Sequence, residues 1–171
     1  MAEPRSWGPV NGVLSVLLVV LVLATVFFAV RGTSEEPGTV AAAAMSRQYG
    51  AVTAAARQET EAFLTVDYRH LAPSANRVLA GATGQFKREY QEAEVHLRSA
   101  ARQSKATSKG TVRAVGIGDL DGDSAIVYVA ADSTVSNTST GHKAEPRYYR
   151  LQLQMTKVGG TWLTANLQFV S

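Results

Sequence analysis

The hydrophobic residues of this 171-residue chain follow three patterns, and the first is an unbroken run near the amino terminus. Residues 13–30 carry no charge and are rich in Leu, Val and Phe. As a helix rising about 1.5 Å per residue, the run would measure roughly 27 Å, close to the thickness of a bilayer core. A cleavable signal peptide has a shorter apolar region and a small-residue cleavage site, which residues 28–31 do not offer. The pattern predicts an uncleaved transmembrane helix.

Few charges flank this run. Arg5 and the terminal amine precede it and Arg31 follows it. The amino-terminal side therefore carries one more positive charge, which favours a cytoplasmic amino terminus. Residues 1–12 then form a short cytoplasmic tail, and the turn-forming residues 31–39 form a linker. We therefore expect a single-pass protein of the cell membrane with one domain, 40–171, outside it.

The second pattern has apolar residues spaced by three and four, which is typical of amphipathic helices. It predicts a long Ala-rich helix over 40–70, in which Glu59 is the one interruption of the apolar face. Pro73 and Ser74 end that helix and start a short turn of helix over 76–79. Thr83 then caps a third helix with a single apolar stripe, formed by Phe86, Tyr90, Ala93, Leu97 and Ala101.

The third pattern, alternation of apolar and polar residues, begins after Ser108. It predicts four strands: 110–120 with a bulge near 114–115, 124–132, 149–156 and 163–169. The connections are a tight turn at 121–123, a long polar loop over 133–145 and a turn at 159–160. Three helices followed by a four-stranded antiparallel meander are an α+β pattern, and a bent sheet over a long helix makes a cone, as in NTF2-like domains.

Composition removes several classes of function. The chain has no Cys, which excludes disulfides, thiolate metal sites and a cysteine nucleophile. Its formal charge of +3 is well below that of a usual nucleic-acid-binding protein. We expect no nucleic-acid partner, no cofactor and no metal.

Several blocks of the sequence resemble the Mce-associated membrane proteins of mycobacteria and other actinobacteria. These blocks are RQETEAFLTVDYRHL at 57–71, RVLAGATGQF at 77–86, SKG at 108–110, DGD at 121–123 and YRLQLQMTKVGGTWL at 149–163. The resemblance implies an accessory or stabilising component beside Mce transport systems, which move lipids or sterols across the actinobacterial envelope. It also implies transporter subunits as partners, a domain similar to NTF2-like and type IV secretion assembly-factor folds, and no catalytic residue.

Asp67 and His70 are the nearest approach to an acid–base pair. They lie three residues apart at a helix end, so they could share one face of the helix. In many general-base sites an Asp orients the His that accepts the proton. The same pair can instead tie down the helix C-terminus before Pro73.

Asp119, Asp121 and Asp123 resemble part of a calcium loop, but Ala130 replaces the required Glu, which favours a solvated turn.

Two surfaces remain as candidate binding sites. A run without acidic residues is either a solvated helix end or a contact patch for anionic lipid headgroups or an acidic partner, and it holds Arg98, Arg102, Lys105, Lys109 and Arg113. The interior of the cone is either a filled core or a cavity for a lipid ligand. Its expected lining is Phe63, Tyr149, Leu151, Trp162, Leu167 and Phe169.

These observations favour a non-catalytic accessory protein of a Mce-type lipid or sterol importer. Two alternatives stay open. One is a membrane-tethered NTF2-like lipid-binding cup or enzyme, and the other is a secretion-type assembly factor that forms a homo-oligomer.

Overall fold

The computed structural model describes Leu21, Thr25, Val26 and residues 37–171. The predicted tail 1–12, and all of the predicted transmembrane segment 13–30 except those three helical residues, lie outside the described part. Among the described residues, no helix is long and apolar enough to cross a membrane. The chain divides into two compact units, Met1–Met45 and Ser46–Ser171.

Three helices precede most of the sheet. They are α1 (Pro37–Leu64), α2 (Leu71–Gly81) and α3 (Gly84–Ser104). In the first unit, the described residues 38–45 of α1 are exposed. In the second unit, α1 buries Val52, Ala56 and Leu64 against the sheet, as its apolar spacing predicts.

The helix predicted over 40–70 ends six residues early, at Leu64. The Ser108 hydroxyl donates a hydrogen bond to the Leu64 carbonyl oxygen at 2.6 Å and accepts one from the Val66 amide at 3.2 Å. The chain then forms a two-residue strand, β1 (Val66–Asp67). A side chain 44 residues further along the chain therefore stops the helix, which local spacing could not indicate.

The short helical turn predicted over 76–79 was also wrong, because α2 has eleven residues. Pro73 lies in its first turn, where a missing backbone N–H breaks no intrahelical hydrogen bond. The N-cap is His70 instead of Ser74. Thr83 is the N-cap of α3 as predicted, although its side chain makes no capping hydrogen bond.

The sheet has five antiparallel strands instead of the predicted four, in the order β1-β2-β3-β4-β5. The added strand is β1, and the others are β2 (Thr107–Asp121), β3 (Ser124–Ser136), β4 (Glu145–Val158) and β5 (Thr161–Phe169). Register shifts in β2 lie between Val112 and Ala114 and between Ile117 and Asp119, on either side of the predicted bulge. The α+β class is confirmed, and so is the order of the three helices and the last four strands, whereas β1 interrupts the predicted run of helices.

The loop predicted over 133–145 is shorter, because β3 and β4 stay paired as far as Val135 and Glu145. Residues 137–144 make the connection, and the Asn137 side chain holds its first turn by accepting the Thr140 amide at 3.0 Å. The polar residues at 133–136 join the sheet because 107–110 of β2 pair with them on the other side. Their polar composition favours a loop when it is considered without the neighbouring strands, so the sequence did not predict that they belong to the sheet.

Two clusters make up the core. The larger cluster joins three residues of α1 to the sheet, and it includes Val52, Ala56, Leu64, Val127, Leu153, Met155 and Trp162. The smaller joins α2 to α3 through Val78, Ala82 and Phe86. The helices therefore cover one face of the sheet.

Candidate functional site

A cavity of about 440 Å³ lies between the helices and the sheet. The end of α1, the start of α2 and the second half of α3 form its helical side, and β2–β5 form the other. Its volume falls in the range of small-molecule sites. Apolar side chains from both sides line it, namely Phe63, Leu64, Val66, Leu71, Leu97, Val135, Tyr149 and Phe169.

Aromatic rings form a chain of contacts along this cavity. Phe63 lies centrally, with its ring centroid 5.8 Å from that of Phe86 and 6.3 Å from that of Phe169. Phe169 in turn lies 5.8 Å from Tyr149, and Phe86 lies 6.2 Å from Tyr90. These are tilted and edge-to-face arrangements, which stabilise aromatic pairs. Phe169 is 58% exposed, so an apolar ring reaches solvent at the cavity.

The polar groups of the cavity come mainly from α3. Arg98 forms an ion pair with Glu94 one turn earlier, and its buried Nε has no hydrogen-bond partner among the described residues. Burial raises the pKa of the Tyr90 phenol, and the nearby Glu94 adds to this effect. On the sheet, the Ser133 and Tyr149 hydroxyls are 3.5 Å apart. The site can therefore surround an apolar group and offer a few polar contacts beside it.

The residues predicted to line the cone fall into two groups. Phe63, Tyr149 and Phe169 line the cavity. Leu151 and Trp162 are 0% and 5% exposed and belong to the packed core, and Leu167 packs against both clusters. Alternation along a strand identifies the inner face but does not tell a core position from a cavity wall.

Asp67 and His70 lie at the surface. The Arg69 guanidinium contacts Asp67 through two hydrogen bonds of 3.0 and 3.2 Å, and the Arg69 amide donates a third at 3.0 Å. Arg69 therefore holds the pKa of the Asp67 carboxyl well below its usual range, with a smaller contribution from His70. His70 Nδ1 is 3.2 Å from the Asp67 carboxylate, and the imidazole is 71% exposed. Neither side chain lines the cavity.

The basic run is divided between α3 and the sheet. Arg98 and Arg102 lie one turn apart on α3, and Lys105 is the C-cap of this helix with a φ of 51°. Lys109 and Arg113 lie on β2, where Val112 points into the core and Arg113 pairs with Asp132 at 2.5 Å. Acidic partners therefore hold two of the five side chains.

The turn that resembled part of a calcium loop joins β2 to β3. Gly122 has a φ of +55°, and its carbonyl oxygen accepts a hydrogen bond from Gln48 at 2.6 Å. In the described part of the chain, no group of three His, Asp or Glu side chains is placed to hold a metal ion.

Comparison with solved structures defines the class of fold. The chain superposes on the periplasmic domain of DotI with a TM-score of 0.57 and 16% identity, covering 71% of this chain and 94% of that one. An IcmL-like type IV secretion system protein from Legionella pneumophila gives 0.57 and 11%, covering 69% and 88%. CagV, a VirB8 homologue from Helicobacter pylori, gives 0.54 and 6%, covering 71% and 98%. These likenesses show the fold alone.

The sequence identifies the family. Residues 13–171 match the family described as uncharacterized protein Rv1363c/MT1408-like, and the chain belongs to it. The uncharacterized protein Rv1363c of Mycobacterium tuberculosis is 33% identical over 120 residues, which are 70% of this chain. The chain spans about half of that relative's length, 46%.

Proposed function

We propose that this protein is a non-catalytic, membrane-anchored accessory subunit of an envelope transport machine, with domain 40–171 outside the membrane. The observation that carries the proposal is the fold, which the chain shares with domains named as periplasmic or as parts of type IV secretion systems. In such a subunit the domain binds other proteins, and the transmembrane segment predicted from the sequence at 13–30 keeps it at the membrane.

The surroundings of Asp67 and His70 support the non-catalytic part of the proposal. Three hydrogen bonds from Arg69 occupy the Asp67 carboxylate, and its lowered pKa makes it a poor proton acceptor. A substrate would be held away from water inside the apolar cavity, and the exposed His70 lies outside that cavity. A role in fixing the turn between α1 and α2 accounts for both side chains.

The finer proposal is that the machine is a Mce-type lipid or sterol importer. Its support is the resemblance of blocks 57–71, 77–86 and 149–163 to Mce-associated proteins. The proposed partners are therefore the transporter subunits of that system.

A pull-down from native membranes tests both the accessory role and the assignment to a Mce-type importer. The full-length tagged protein would be extracted in mild detergent, and co-purifying proteins and lipids would be identified by mass spectrometry. We expect transporter subunits at stoichiometric levels, and a deletion strain should contain less of the assembled transporter. Unchanged transporter abundance and lipid uptake in the deletion strain would contradict the proposal.

The cavity favours a second candidate, a lipid-binding cup. Its apolar lining and its volume of about 440 Å³ suit part of an acyl chain or a ring system. Recovery of the protein without transporter subunits, but with one lipid per chain, would favour the cup.

The neighbours from type IV secretion systems favour a third candidate, an assembly factor that forms homo-oligomers. Analytical ultracentrifugation of the detergent-solubilised protein tests it. A strict monomer at high concentration would count against this candidate.

A further inference from the structure

A second cavity lies nearer the start of α1 than the first and is lined by Glu59, a charged residue on that helix's apolar face. It measures about 390 Å³ and lies between α1, the end of α2 and the turn into β5. Its exposed rim includes Gln58, Ala80 and Thr161, and its buried part includes Glu59 and Trp162. It shares no lining residue with the larger cavity.

Glu59 is 2% exposed, and its Oε1 has no hydrogen-bond partner within the described part of the chain. Buried polar atoms in proteins are almost always hydrogen-bonded, because leaving one without a partner forfeits its hydration. Gly81 makes room for this carboxyl, since a methyl group at that position would overlap Glu59 Oε2. The chain therefore makes room for a carboxyl group at the cavity wall and leaves its Oε1 without a partner in the described part of the chain.

The other lining residues indicate which ligand would fit. They are mostly apolar, with Ala at 51, 54, 55 and 80 and the side chains of Trp162 and Leu163. Among the described residues that line this cavity, Glu59 is the only one that titrates. Burial raises the pKa of Glu59 to about 8, so at pH 7 the carboxyl is mostly protonated and can both donate and accept a hydrogen bond.

We propose that this cavity binds an apolar molecule through a single hydroxyl group that hydrogen-bonds to Glu59. A neutral acid and an alcohol can exchange two hydrogen bonds without placing any charge in the apolar site. An ammonium ligand would instead require a buried ion pair, whose desolvation offsets much of the attraction between the charges. This inference does not depend on the proposed function.

Fluorescence of Trp162 provides the measurement, because its indole lines the cavity. Full-length protein carrying W7F, which leaves Trp162 as the only tryptophan, would be titrated with cyclohexanol, methylcyclohexane and cyclohexylamine. We expect cyclohexanol to bind more tightly than cyclohexylamine. Glu59→Leu should weaken cyclohexanol binding about tenfold and leave methylcyclohexane binding unchanged, since two hydrogen bonds are lost.

Glu59→Gln is the matched control, because its amide keeps a donor and an acceptor at the same place. We expect it to bind cyclohexanol within about threefold of the wild type. Methylcyclohexane binding by both variants checks that the cavity has formed. Partitioning into detergent lowers the free ligand concentration equally for every variant, so it does not affect the comparison between them. Tighter binding of the amine than of the alcohol by the wild type, or full cyclohexanol affinity in Glu59→Leu, would overturn the proposal.

Discussion

At the residue scale, the contact between Glu59 and Gly81 can be tested directly. Gly81→Ala would normally stabilise a helix by up to about 1 kcal/mol. Here the new methyl group overlaps the Glu59 carboxyl, so we expect the free energy of unfolding to fall by about 1–3 kcal/mol. Chemical denaturation followed by Trp162 fluorescence in the W7F background would measure it.

Two further variants isolate the cause of that loss. Glu59→Ala removes the overlapping carboxyl, so Gly81→Ala should no longer destabilise the protein in that background. Gly50→Ala adds a methyl group to α1 where no atom lies within 4 Å, so it should be neutral or stabilising. A loss of stability from Gly81→Ala that persists without Glu59 would show that the carboxyl does not lie against Gly81.

Glu59 should also make stability depend on pH. Burial raises its pKa from 4.5 to about 8, so the folded chain holds this proton more tightly than the unfolded chain. The stabilisation is therefore complete below about pH 4.5 and is lost as the pH rises towards 8. Relative to Glu59→Gln, the wild type should lose about 2–3 kcal/mol of unfolding free energy between pH 5 and pH 7.

Denaturation curves of the two proteins at several pH values would measure this difference, in which the other titrating groups cancel. In the described part of the chain, Tyr90 also interacts electrostatically with Glu59, and its raised pKa keeps it neutral over this range. Parallel stability profiles for wild type and Glu59→Gln would contradict a buried, protonated carboxyl.

At the element scale, the end of α1 rests directly on β2. A Cβ atom at Gly110 would lie 2.6 Å from the Leu64 Cβ and 3.4 Å from the Glu61 carbonyl oxygen. Gly110→Ala should therefore push the helix off the strand and cost about 1–3 kcal/mol of unfolding free energy. Gly116→Ala, in the same strand, meets no atom within 4 Å and should be neutral or slightly stabilising. Similar losses from both variants, measured by chemical denaturation, would show that this close packing is absent.

The same junction shows what the sequence could and could not predict. Periodicity identified three helices, the meander and the inner faces of its strands, because burial on one face leaves that signature. The end of α1 at Leu64 depends on Ser108, and the length of α2 depends on a proline that the first turn tolerates. Tertiary contacts decide such boundaries, so local pattern placed them several residues away.

The candidate sites were predictable to different degrees for the same reason. Strand alternation placed Tyr149 and Phe169 on the inner face, but only the packed structure separates the cavity wall from buried Leu151. Glu59 had a visible signal as the single charge on an apolar stripe. The sequence did not show that Gly81 lies against Glu59 and makes room for its carboxyl.

At the scale of the whole molecule, filling the larger cavity separates the proposed accessory role from the lipid cup. Val135 is half-buried and lines the cavity, so Val135→Phe would occupy part of its 440 Å³. Val158→Phe makes the same change at a position that is 49% exposed and outside the cavity, and it serves as the matched control. Both variants should fold, which thermal unfolding would verify.

If the domain acts by binding partner subunits, the two variants should behave alike. We expect each to recover transporter subunits at wild-type levels in the pull-down and to restore lipid uptake in a deletion strain, because the change in Val135→Phe is internal. A cup would behave differently, since blocking its cavity removes the ligand without disturbing the surface. Loss of uptake and of bound lipid in Val135→Phe alone, with transporter subunits still recovered, would contradict the accessory role and support a cavity that holds lipid.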